Sequence, residues 1–303
     1  MRIGVSACLL GRSVRYDGGH TRDTFLVEDL APHVDLLSTC PEVDIGLGTP
    51  REPIALVAAG GDVRVRGVES GADHTDALRA HGVRRGGELA AIGLAGYVLK
   101  SRSPSCGLAV GVRGDGVEAP RPGVFAAALL ERLPLLAVIE ENALRDAGAR
   151  DHFLTRVYAH ARVEALLEGE WTAGDLVRLH TTEKLLLLAH DPAAYARIGR
   201  LVAEAGTRSR DELGPAYRAG VLGALASPTT RGRHVNTLQH LAGMLPEHGG
   251  EADLAAAIHS YRRGEGSRRP LLERIEALAE RLGAEYVAGQ TYLRPYPREL
   301  MAV

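Results

Sequence analysis

The hydrophobic pattern changes once along the 303-residue chain, and this change limits the fold more than any other sequence feature. Up to about residue 145, short apolar runs alternate with longer runs in which apolar residues recur every three or four positions, as in strands and helices. From about residue 151 only the helical spacing continues, and glycine, proline and polar residues separate the runs. The pattern predicts an α/β N-terminal domain with a mostly parallel sheet, followed by an all-α helical C-terminal domain.

The predicted strands of the first domain cover residues 2–7, 34–39, 95–101 and 134–141, and a hairpin over 55–68 turns at Gly60-Gly61. Helical spacing in the same domain covers residues 24–33, 74–94 and 124–133. The second domain has seven helical runs, at residues 153–169, 172–190, 193–206, 215–226, 231–245, 251–266 and 270–283. We place the boundary within 145–151, which gives domains of residues 1–147 and 148–303.

Composition excludes few classes of function. The net charge of −2 and the isoelectric point near 6.6 give no bulk signal for polyanion binding, so a nucleic-acid site would need a local patch. The N-terminal run MRIGVSACLLG lacks the basic region, apolar region and cleavage site of a signal peptide. No stretch reaches the roughly 18 apolar residues of a membrane span. We therefore expect a cytoplasmic protein without a membrane segment.

Three cysteines stand out in this setting, because an odd number in a reducing compartment argues for metal or thiol chemistry rather than a disulfide framework. Cys8, Cys40 and Cys106 each lie just past the end of a predicted strand. In open α/β sheets that edge is where ligands bind. The gaps of 32 and 66 residues exclude a local CxxC finger and favour three loops that converge in space.

Small and polar residues surround all three cysteines, in the segments SACLLGRSVRYDGG, CPEVDIGLGTPREP and SPSCG. Such residues let backbone amides approach a bulky inorganic group and hydrogen-bond its sulfur atoms, as in iron–sulfur proteins. Three thiolates on a cubane cluster would leave one iron without a protein ligand. Because iron is thiophilic, a sulfur-bearing substrate is a natural ligand for that position.

Three other interpretations of the cysteines stay open at this point. Each thiol alone could be a small buried hydrophobe. Together the three could bind zinc, with Asp17, Glu42 or His20 as the fourth ligand. Two of them could also form a thiol–disulfide pair and leave the third unused.

The same loops resemble one family closely. The segments SACLLGxxVRYDGG, CPExxxGLGTPREP and LKSRSPSCG are similar to those of the thiouracil desulfidase family. The second half resembles an all-helical domain of uncharacterised family that is often fused behind it, on the segments LHTTEKLLLLAH, RGRHVNTLQHLAGML and AGQTYLRPYPREL. The two-domain arrangement resembles the bacterial enzymes that remove sulfur from 4-thiouridine in tRNA, and the resemblance covers nearly the whole chain.

This resemblance implies a [4Fe-4S] cluster held by Cys8, Cys40 and Cys106, with a fourth iron that binds the thiocarbonyl sulfur of the substrate. Water would replace the sulfur at the ring carbon and sulfide would leave, without net redox change, while iron acts as a Lewis acid. The implied partner is tRNA or a thiolated pyrimidine. One alternative is a desulfidase of free thiouracil or thionucleosides, and another is a non-enzymatic cluster-bearing sensor or RNA-binding protein.

Such a hydrolysis needs a base for water and a donor for the ring nitrogen or the departing sulfur. Glu42 is the candidate base, unless its carboxylate only binds loop amides. Ser103 and Ser105 are candidate donors, unless they only shape the turn around Pro104. Asp17, in the segment YDGG, is either a turn former or a further acid.

Three cations flank these candidates. Arg15 and Arg51 are expected to contact phosphate or to orient carboxylates, with surface or ion-pair roles as the alternative. Lys100 precedes the Cys106 loop and suggests an anion contact there.

In the helical half, His180 and Lys184 share a helix face, and His234, Asn236 and His240 lie on a second helix. We expect core histidines, with RNA contacts and a metal site as alternatives. Tyr292 and Tyr296 either anchor the C-terminal segment or stack on bases. Several arginine pairs would form solvated faces or contact RNA, at Arg208/Arg210, Arg231/Arg233, Arg262/Arg263 and Arg268/Arg269.

Overall fold

The computed structural model describes residues 1–114, 119–247 and 249–301. Backbone contacts divide the chain into two compact units, Met1–Val157 together with the segment that starts at Glu299, and Tyr158–Arg298. The first unit contains a parallel sheet with helices, and the second is helical. The predicted fold class is therefore confirmed.

The first unit has seven strands in the described residues: β1 Arg2–Ser6, β2 Asp35–Thr39, β3 Ile54–Ala59, β4 Asp62–Gly67, β5 Leu94–Leu99, β6 Val112–Arg113 and β7 Ala137–Glu140. One sheet has the order β2-β1-β5-β7, and all neighbouring pairs in it are parallel. The second sheet has the order β4-β3-β6, in which β3 and β4 form the predicted hairpin. Because the strands of the first sheet are parallel, the chain leaves all four at the same edge.

Three α-helices accompany these sheets: α1 Pro41–Asp44, α2 Thr75–Ala91 and α3 Val124–Arg132. Residues 24–33, predicted as one helix, instead form a π-helical turn over Phe25–Leu30 and a 3₁₀ turn over Ala31–His33. Pro32 has no backbone N–H, so a regular α-helix cannot continue through it. Two further 3₁₀ turns cover Ala7–Leu10 and Ala143–Arg145.

Close packing around β5 fixes the centre of the first unit. All six residues of β5 are buried, as expected for a parallel strand with a neighbour on each side. Tyr97 of β5 packs with Phe125 of α3, and Leu89 of α2 lies in the same cluster. Gly82 lets α2 approach α3, because a Cβ atom at this position would lie 2.8 Å from the Cβ of Ala128.

Gly4 of β1 provides a test of this packing. A Cβ atom at Gly4 would lie 2.2 Å from a carbon of the Tyr97 ring, which is fully buried and cannot move aside without cost. We expect Gly4→Ala to lower the free energy of unfolding by about 1–3 kcal/mol, measured by urea titration. Gly87→Ala is the matched control, since nothing lies within 4 Å of the added methyl group. Equal stability of the two variants would contradict the packing described here.

The second unit consists of helices, from the later part of α4 to α11: α4 Ala147–Leu167, α5 Ala173–His190, α6 Pro192–Ala203, α7 Arg210–Ala224, α8 Arg231–Gly243, α9 Glu251–Arg262, α10 Arg269–Arg281 and α11 Glu285–Ala288. A short helix, α12 Arg298–Met301, begins at the last residue of this unit. The divisions between the units fall within α4 and after the first residue of α12. Thr172 and Asp175 form a capping box at the start of α5, and Asp191 caps α6. Within the described ranges, no helix combines the length and apolar composition of a membrane span.

One buried carboxylate and two exposed arginines hold the C-terminal segment of the helical unit. The Glu276 side chain, 4% exposed, accepts hydrogen bonds from Arg294 and Arg298. Tyr292 and Tyr296 are buried within this unit. Of the two alternatives, anchoring the segment or stacking on bases, the structure therefore supports anchoring. His234 is also buried and contacts the Tyr292 hydroxyl at 2.8 Å, which confirms it as a core histidine.

Candidate active site

Three neighbouring loops at the carboxyl edge of the parallel sheet carry the cysteines. Cys8 lies in the 3₁₀ turn directly after β1, and Cys40 follows β2 immediately. Cys106 lies in the loop that follows β5. Because β1 lies between β2 and β5, the three loops start side by side.

All three cysteines line one cavity of about 660 Å³, a volume typical of small-molecule sites. Each is a free thiol, so the thiol–disulfide alternative finds no support. Glu42, Ser103 and Ser105 line the same cavity, as do Arg15, Arg51 and Lys100. The structure therefore brings together every residue proposed for the site except Asp17 and His20.

The thiols of the protein alone are neutral at pH 7. Burial, with a smaller contribution from the Glu42 carboxylate, raises the pKa of Cys106 to about 12. Burial also raises the pKa of Cys8, although Thr21 and the cations Lys100 and Arg15 oppose this effect. The pKa of Cys40 is raised by burial as well, against a hydrogen bond from the Val43 backbone N–H. Binding of a metal or cluster would have to displace these protons.

The donor set fits an iron–sulfur cluster better than a single metal ion. Among the described residues, no three His, Cys, Asp or Glu side chains converge on one metal position. The buried Thr21 hydroxyl lies beside Cys8 and lowers the pKa of its thiol through a side-chain hydrogen bond, so it is placed to hydrogen-bond a sulfur atom held there. Hydrogen bonds to sulfur are how proteins tune such clusters.

Glu42 is held by Arg51 on one oxygen and by serine on the other. Arg51 donates from Nε and Nη2 to Glu42 Oε2 at 3.0 and 2.5 Å. Ser105 Oγ donates to Glu42 Oε1 at 2.6 Å. Both charged side chains are nearly buried, with 12% of Glu42 and 7% of Arg51 exposed. The ion pair fixes the carboxylate beside Cys40 in a single orientation.

Arg51 also connects this carboxylate to the loop of the first cysteine. Its Nη1 donates to the backbone oxygens of Val14 and Gly48 at 3.0 and 2.8 Å. The Cys40 thiol lies 3.8 Å from the same Val14 oxygen. Of the two roles predicted for Arg51, the structure shows the orientation of a carboxylate.

The two serines form a chain of hydroxyl groups that ends at Glu42. Ser103 Oγ and Ser105 Oγ are 2.9 Å apart, and Ser103 Oγ accepts the Cys106 N–H at 3.2 Å. Ser105 is fully buried, whereas Ser103 is partly exposed. Ser103 Oγ also lies 3.5 Å from Glu42 Oε1, but its shorter contact is with Ser105, which donates to Glu42, so Ser103 donates to Ser105 in this chain.

Gly107 lies in close contact with the backbone of the preceding residues of this loop. A Cβ atom at Gly107 would lie 3.0 Å from the Ser103 oxygen and 3.1 Å from the Arg102 nitrogen. The sequence interpretation gave this glycine a role in close approach to an inorganic group. The structure shows that it permits the turn that places Cys106, and its role toward an inorganic group stays a prediction.

Lys100 and Glu141 form a second buried ion pair in the site. Lys100 Nζ contacts Glu141 Oε1 at 2.6 Å, and both side chains are 13% exposed. Burial raises the pKa of Glu141, but hydrogen bonds from Lys100 and Ser101 outweigh it and leave the pKa below its ordinary value. Lys100 thus contacts a protein carboxylate, and its ammonium lies near enough to Cys8 to lower the pKa of that thiol.

Sequence reasoning missed Glu141. It directly follows β7, so the rule that drew attention to the cysteines applies to it as well. The signal was therefore present, but it required the knowledge that β7 lies next to β5.

Asp17 and His20 lie outside the set of residues that line the cavity. Asp17 accepts the Gly19 N–H at 3.0 Å and pairs with Arg15 at 3.3 Å, and its side chain is 45% exposed. The Gly19 N–H, followed by Arg15, lowers the pKa of Asp17. Asp17 therefore forms the predicted turn, and its carboxylate holds Arg15, which does line the cavity. A catalytic role of Asp17 stays a prediction.

Two further arginines, Arg102 and Arg113, line the cavity and are exposed. Neither forms an ion pair with any of the described residues, in contrast to Arg15 and Arg51. Arg102 has a backbone φ of 60°, a conformation that costs energy in residues other than glycine and that is common at functional sites.

Comparison with known proteins gives a match for each half of the chain. The family model described as 2-thiouracil desulfurase matches residues 3–141, and the model DUF1722, a protein of unknown function, matches residues 184–297. A solved structure, described as the [4Fe-4S]-dependent thiouracil desulfidase TudS, is 36% identical over 48% of this chain and 93% of its own, with a TM-score of 0.40.

Two curated relatives show similarity at the level of sequence. The uncharacterized protein YbgA of Escherichia coli (strain K12) is 32% identical over 152 residues, which are 49% of this chain and 90% of YbgA. The uncharacterized protein YbbK of Bacillus subtilis (strain 168) is 32% identical over 151 residues, which are 48% of this chain and 98% of YbbK. With nearly the whole length of both relatives covered and both family models matched, the chain belongs to the 2-thiouracil desulfurase family and carries a DUF1722 domain after the desulfurase domain.

Proposed function

We propose that the protein is a [4Fe-4S]-dependent desulfidase that replaces the thiocarbonyl sulfur of a thiolated pyrimidine by oxygen, with 4-thiouridine in tRNA as its substrate. The observation that carries the proposal is the position of three free thiols in the loops that follow three neighbouring parallel strands, around one cavity that also contains a fixed carboxylate. The family match supports the thiouracil chemistry. The cofactor agrees with the description of the similar solved enzyme. A cytoplasmic location stays a prediction.

Held by Cys8, Cys40 and Cys106, a cluster would supply a thiophilic Lewis acid that polarises the C=S bond and takes up the leaving sulfur. The overall reaction consumes one water, converts C=S to C=O and releases sulfide, without an external oxidant or reductant. The protein must then supply a proton acceptor for the water and a fixed position for the ring.

Glu42 and the two serines provide the path for the proton of water. A water beside Ser103 donates to Ser103 Oγ, Ser103 donates to Ser105, and Ser105 donates to Glu42 Oε1. The two protein–protein steps span 2.9 and 2.6 Å, within hydrogen-bond reach. Arg51 keeps the carboxylate in place by occupying its other oxygen.

Support for a nucleotide substrate comes from the rim of the cavity. Arg102 and Arg113 line it as exposed guanidinium groups, and neither forms an ion pair with the described residues. A guanidinium group binds phosphate through two parallel hydrogen bonds, so these residues suit the sugar-phosphate backbone next to the modified base.

Measuring turnover on tRNA and on the free nucleoside tests whether 4-thiouridine in tRNA is the substrate. We expect kcat/KM on 4-thiouridine in tRNA to exceed that on the free nucleoside by about tenfold or more, because phosphate contacts add binding energy. The affinity for tRNA should fall with salt, with a slope that grows by about 0.7–0.9 per phosphate contact. Arg102→Gln should reduce this slope. Equal kcat/KM on 4-thiouridine nucleoside or 2-thiouracil would favour the desulfidase of free substrates instead.

A further inference from the structure

The arginine pairs that the sequence suggested for RNA contacts mostly bind groups within the helical unit. Arg208, Arg210 and Arg263 each form an ion pair with a glutamate. Arg231 and Arg233 donate to backbone oxygens of the same unit. An anion site in this unit therefore needs cationic side chains that are not already bound to carboxylates or backbone oxygens.

A groove between α5 and α6 meets this condition. It encloses a cavity of about 480 Å³, within the range of small-molecule sites. Residues three and four apart on each helix share a face, and one face of each helix lines the groove. The residues that matter below are Val177, His180 and Lys184 of α5 and Tyr195, Gly199 and Arg200 of α6.

Lys184 and Arg200 give the groove its charge. Neither side chain forms a hydrogen bond or an ion pair with another residue in the described part of the chain. No carboxylate is among the residues that line the groove. Arg200 is exposed and Lys184 is half-buried, so two positive charges lie at the groove without a counter-ion.

His180 lines the same groove and is 3% exposed. Its ring stacks against Tyr195 at 6.5 Å between ring centres and meets the edge of Tyr217 at 5.9 Å. Neither ring nitrogen has a hydrogen-bond partner among the described residues. Leaving a buried donor or acceptor without a partner costs free energy, so a bound molecule that supplies one is favoured.

The protonation state of His180 suits such a contact. Burial, together with the nearby Lys184 ammonium, lowers the pKa of His180 to about 4. At pH 7 the imidazole is therefore neutral, with one N–H donor and one acceptor nitrogen.

Gly199 leaves the space beside this imidazole open. A Cβ atom at Gly199 would lie in van der Waals contact with His180 Nε2, at 3.9 Å, and would occupy the space beside that nitrogen. Glycine within a helix costs about 1 kcal/mol relative to alanine. The glycine thus leaves the space next to this buried nitrogen free of a side chain, at a cost in helix stability.

We propose that the groove between α5 and α6 binds a phosphate group of a nucleotide, with Lys184 and Arg200 as its cations and the unpartnered, buried His180 as its hydrogen-bond donor. The phosphate comes either from a free nucleotide or from an RNA strand, which share this chemistry. Tyr195 and Val177 provide the apolar wall for the sugar or base. The proposal does not depend on the desulfidase activity, because every residue in it belongs to the helical unit.

Calorimetric titration of the full chain tests the proposal, with inorganic phosphate, uridine monophosphate and the dinucleotide UpU as probes. We expect at least one nucleotide to bind, and Lys184→Gln and Arg200→Gln each to weaken it by about tenfold or more. Arg197→Gln is the matched control, because Arg197 lies on the same helix but does not line the groove. Binding of uridine monophosphate would identify a free nucleotide as the ligand. Binding of UpU without binding of the monophosphate would identify an RNA strand as the ligand.

Two further variants separate binding from folding. Gly199→Ala should raise the melting temperature, because alanine favours the helix, yet weaken nucleotide binding. His180→Phe should leave the melting temperature unchanged or higher, since an apolar ring needs no hydrogen-bond partner, and should also weaken binding. The proposal is overturned if no probe binds, or if a bound nucleotide keeps its affinity in Lys184→Gln, as binding in the cysteine cavity would predict.

Discussion

Cys106→Ala is expected to abolish cluster binding and activity while the fold is kept. The loop after β5 supplies one of three thiols, and two thiols on a cubane would leave two irons exposed to exchange and oxidation. Iron and sulfide measured after anaerobic reconstitution should fall from about four of each per chain to near zero. The brown absorption should be lost with them. Sulfide release from a thiolated pyrimidine should fall to background.

The fold of this variant should change little, because only one buried sulfur atom is removed. The free energy of unfolding should fall by about 1 kcal/mol, measured in the absence of iron. Ala109→Ser is the matched control, since Ala109 lines the cavity from the same loop but carries no thiol. Full cluster content in Cys106→Ala, or stoichiometric zinc in a colourless anaerobic preparation, would refute the proposed cofactor.

Glu42→Gln is expected to stop turnover and to retain the cluster. The amide keeps the shape of the carboxylate and can still accept from Arg51, but it cannot take up a proton from Ser105. General-base catalysis contributes about 10²- to 10⁴-fold, so kcat should fall by that factor. Iron content and the absorption spectrum should match those of the native protein.

The control for this variant is Glu52→Gln, ten residues further along the chain. Glu52 accepts hydrogen bonds from Ser70 and Glu69 and does not line the cavity. Its substitution should leave kcat within about twofold of the native value. If Glu42→Gln also keeps its activity, Glu42 is not the base. If neither the native protein nor any variant turns over a thiolated pyrimidine although the cluster is bound, the sensor or RNA-binding alternative is favoured.

The cysteines and Glu42 could be found from the sequence because the signal is local. Each thiol follows an apolar run, and the end of a parallel strand is a defined place in the fold. Glu42 lies two residues from Cys40, so its proximity needed no knowledge of strand order. For the same reason the fold class could be predicted, since it follows from the period of the apolar residues.

The contacts between distant segments could not be derived in this way. Glu141 meets Lys100 because β7 pairs with β5, and strand order is set by packing over the whole unit. His180 and Lys184 could be placed on one helix face, but the groove requires α6, whose position the spacing does not encode. The second sheet contains the predicted hairpin of β3 and β4 and a third strand, β6, whose two residues are too few to give a periodic signal.

The strand order β2-β1-β5-β7 has a consequence for biosynthesis. On the ribosome, the first two thiols are available once residue 40 has emerged, but the strand that carries the third pairs with β1 across about ninety residues of chain. Such distant pairings form late, because the entropy of closing a long loop opposes them. When the edge strand β7 then pairs with β5, Glu141 comes into contact with Lys100. A site that needs all three cysteines is therefore complete only in a nearly finished N-terminal unit, not in a short nascent peptide.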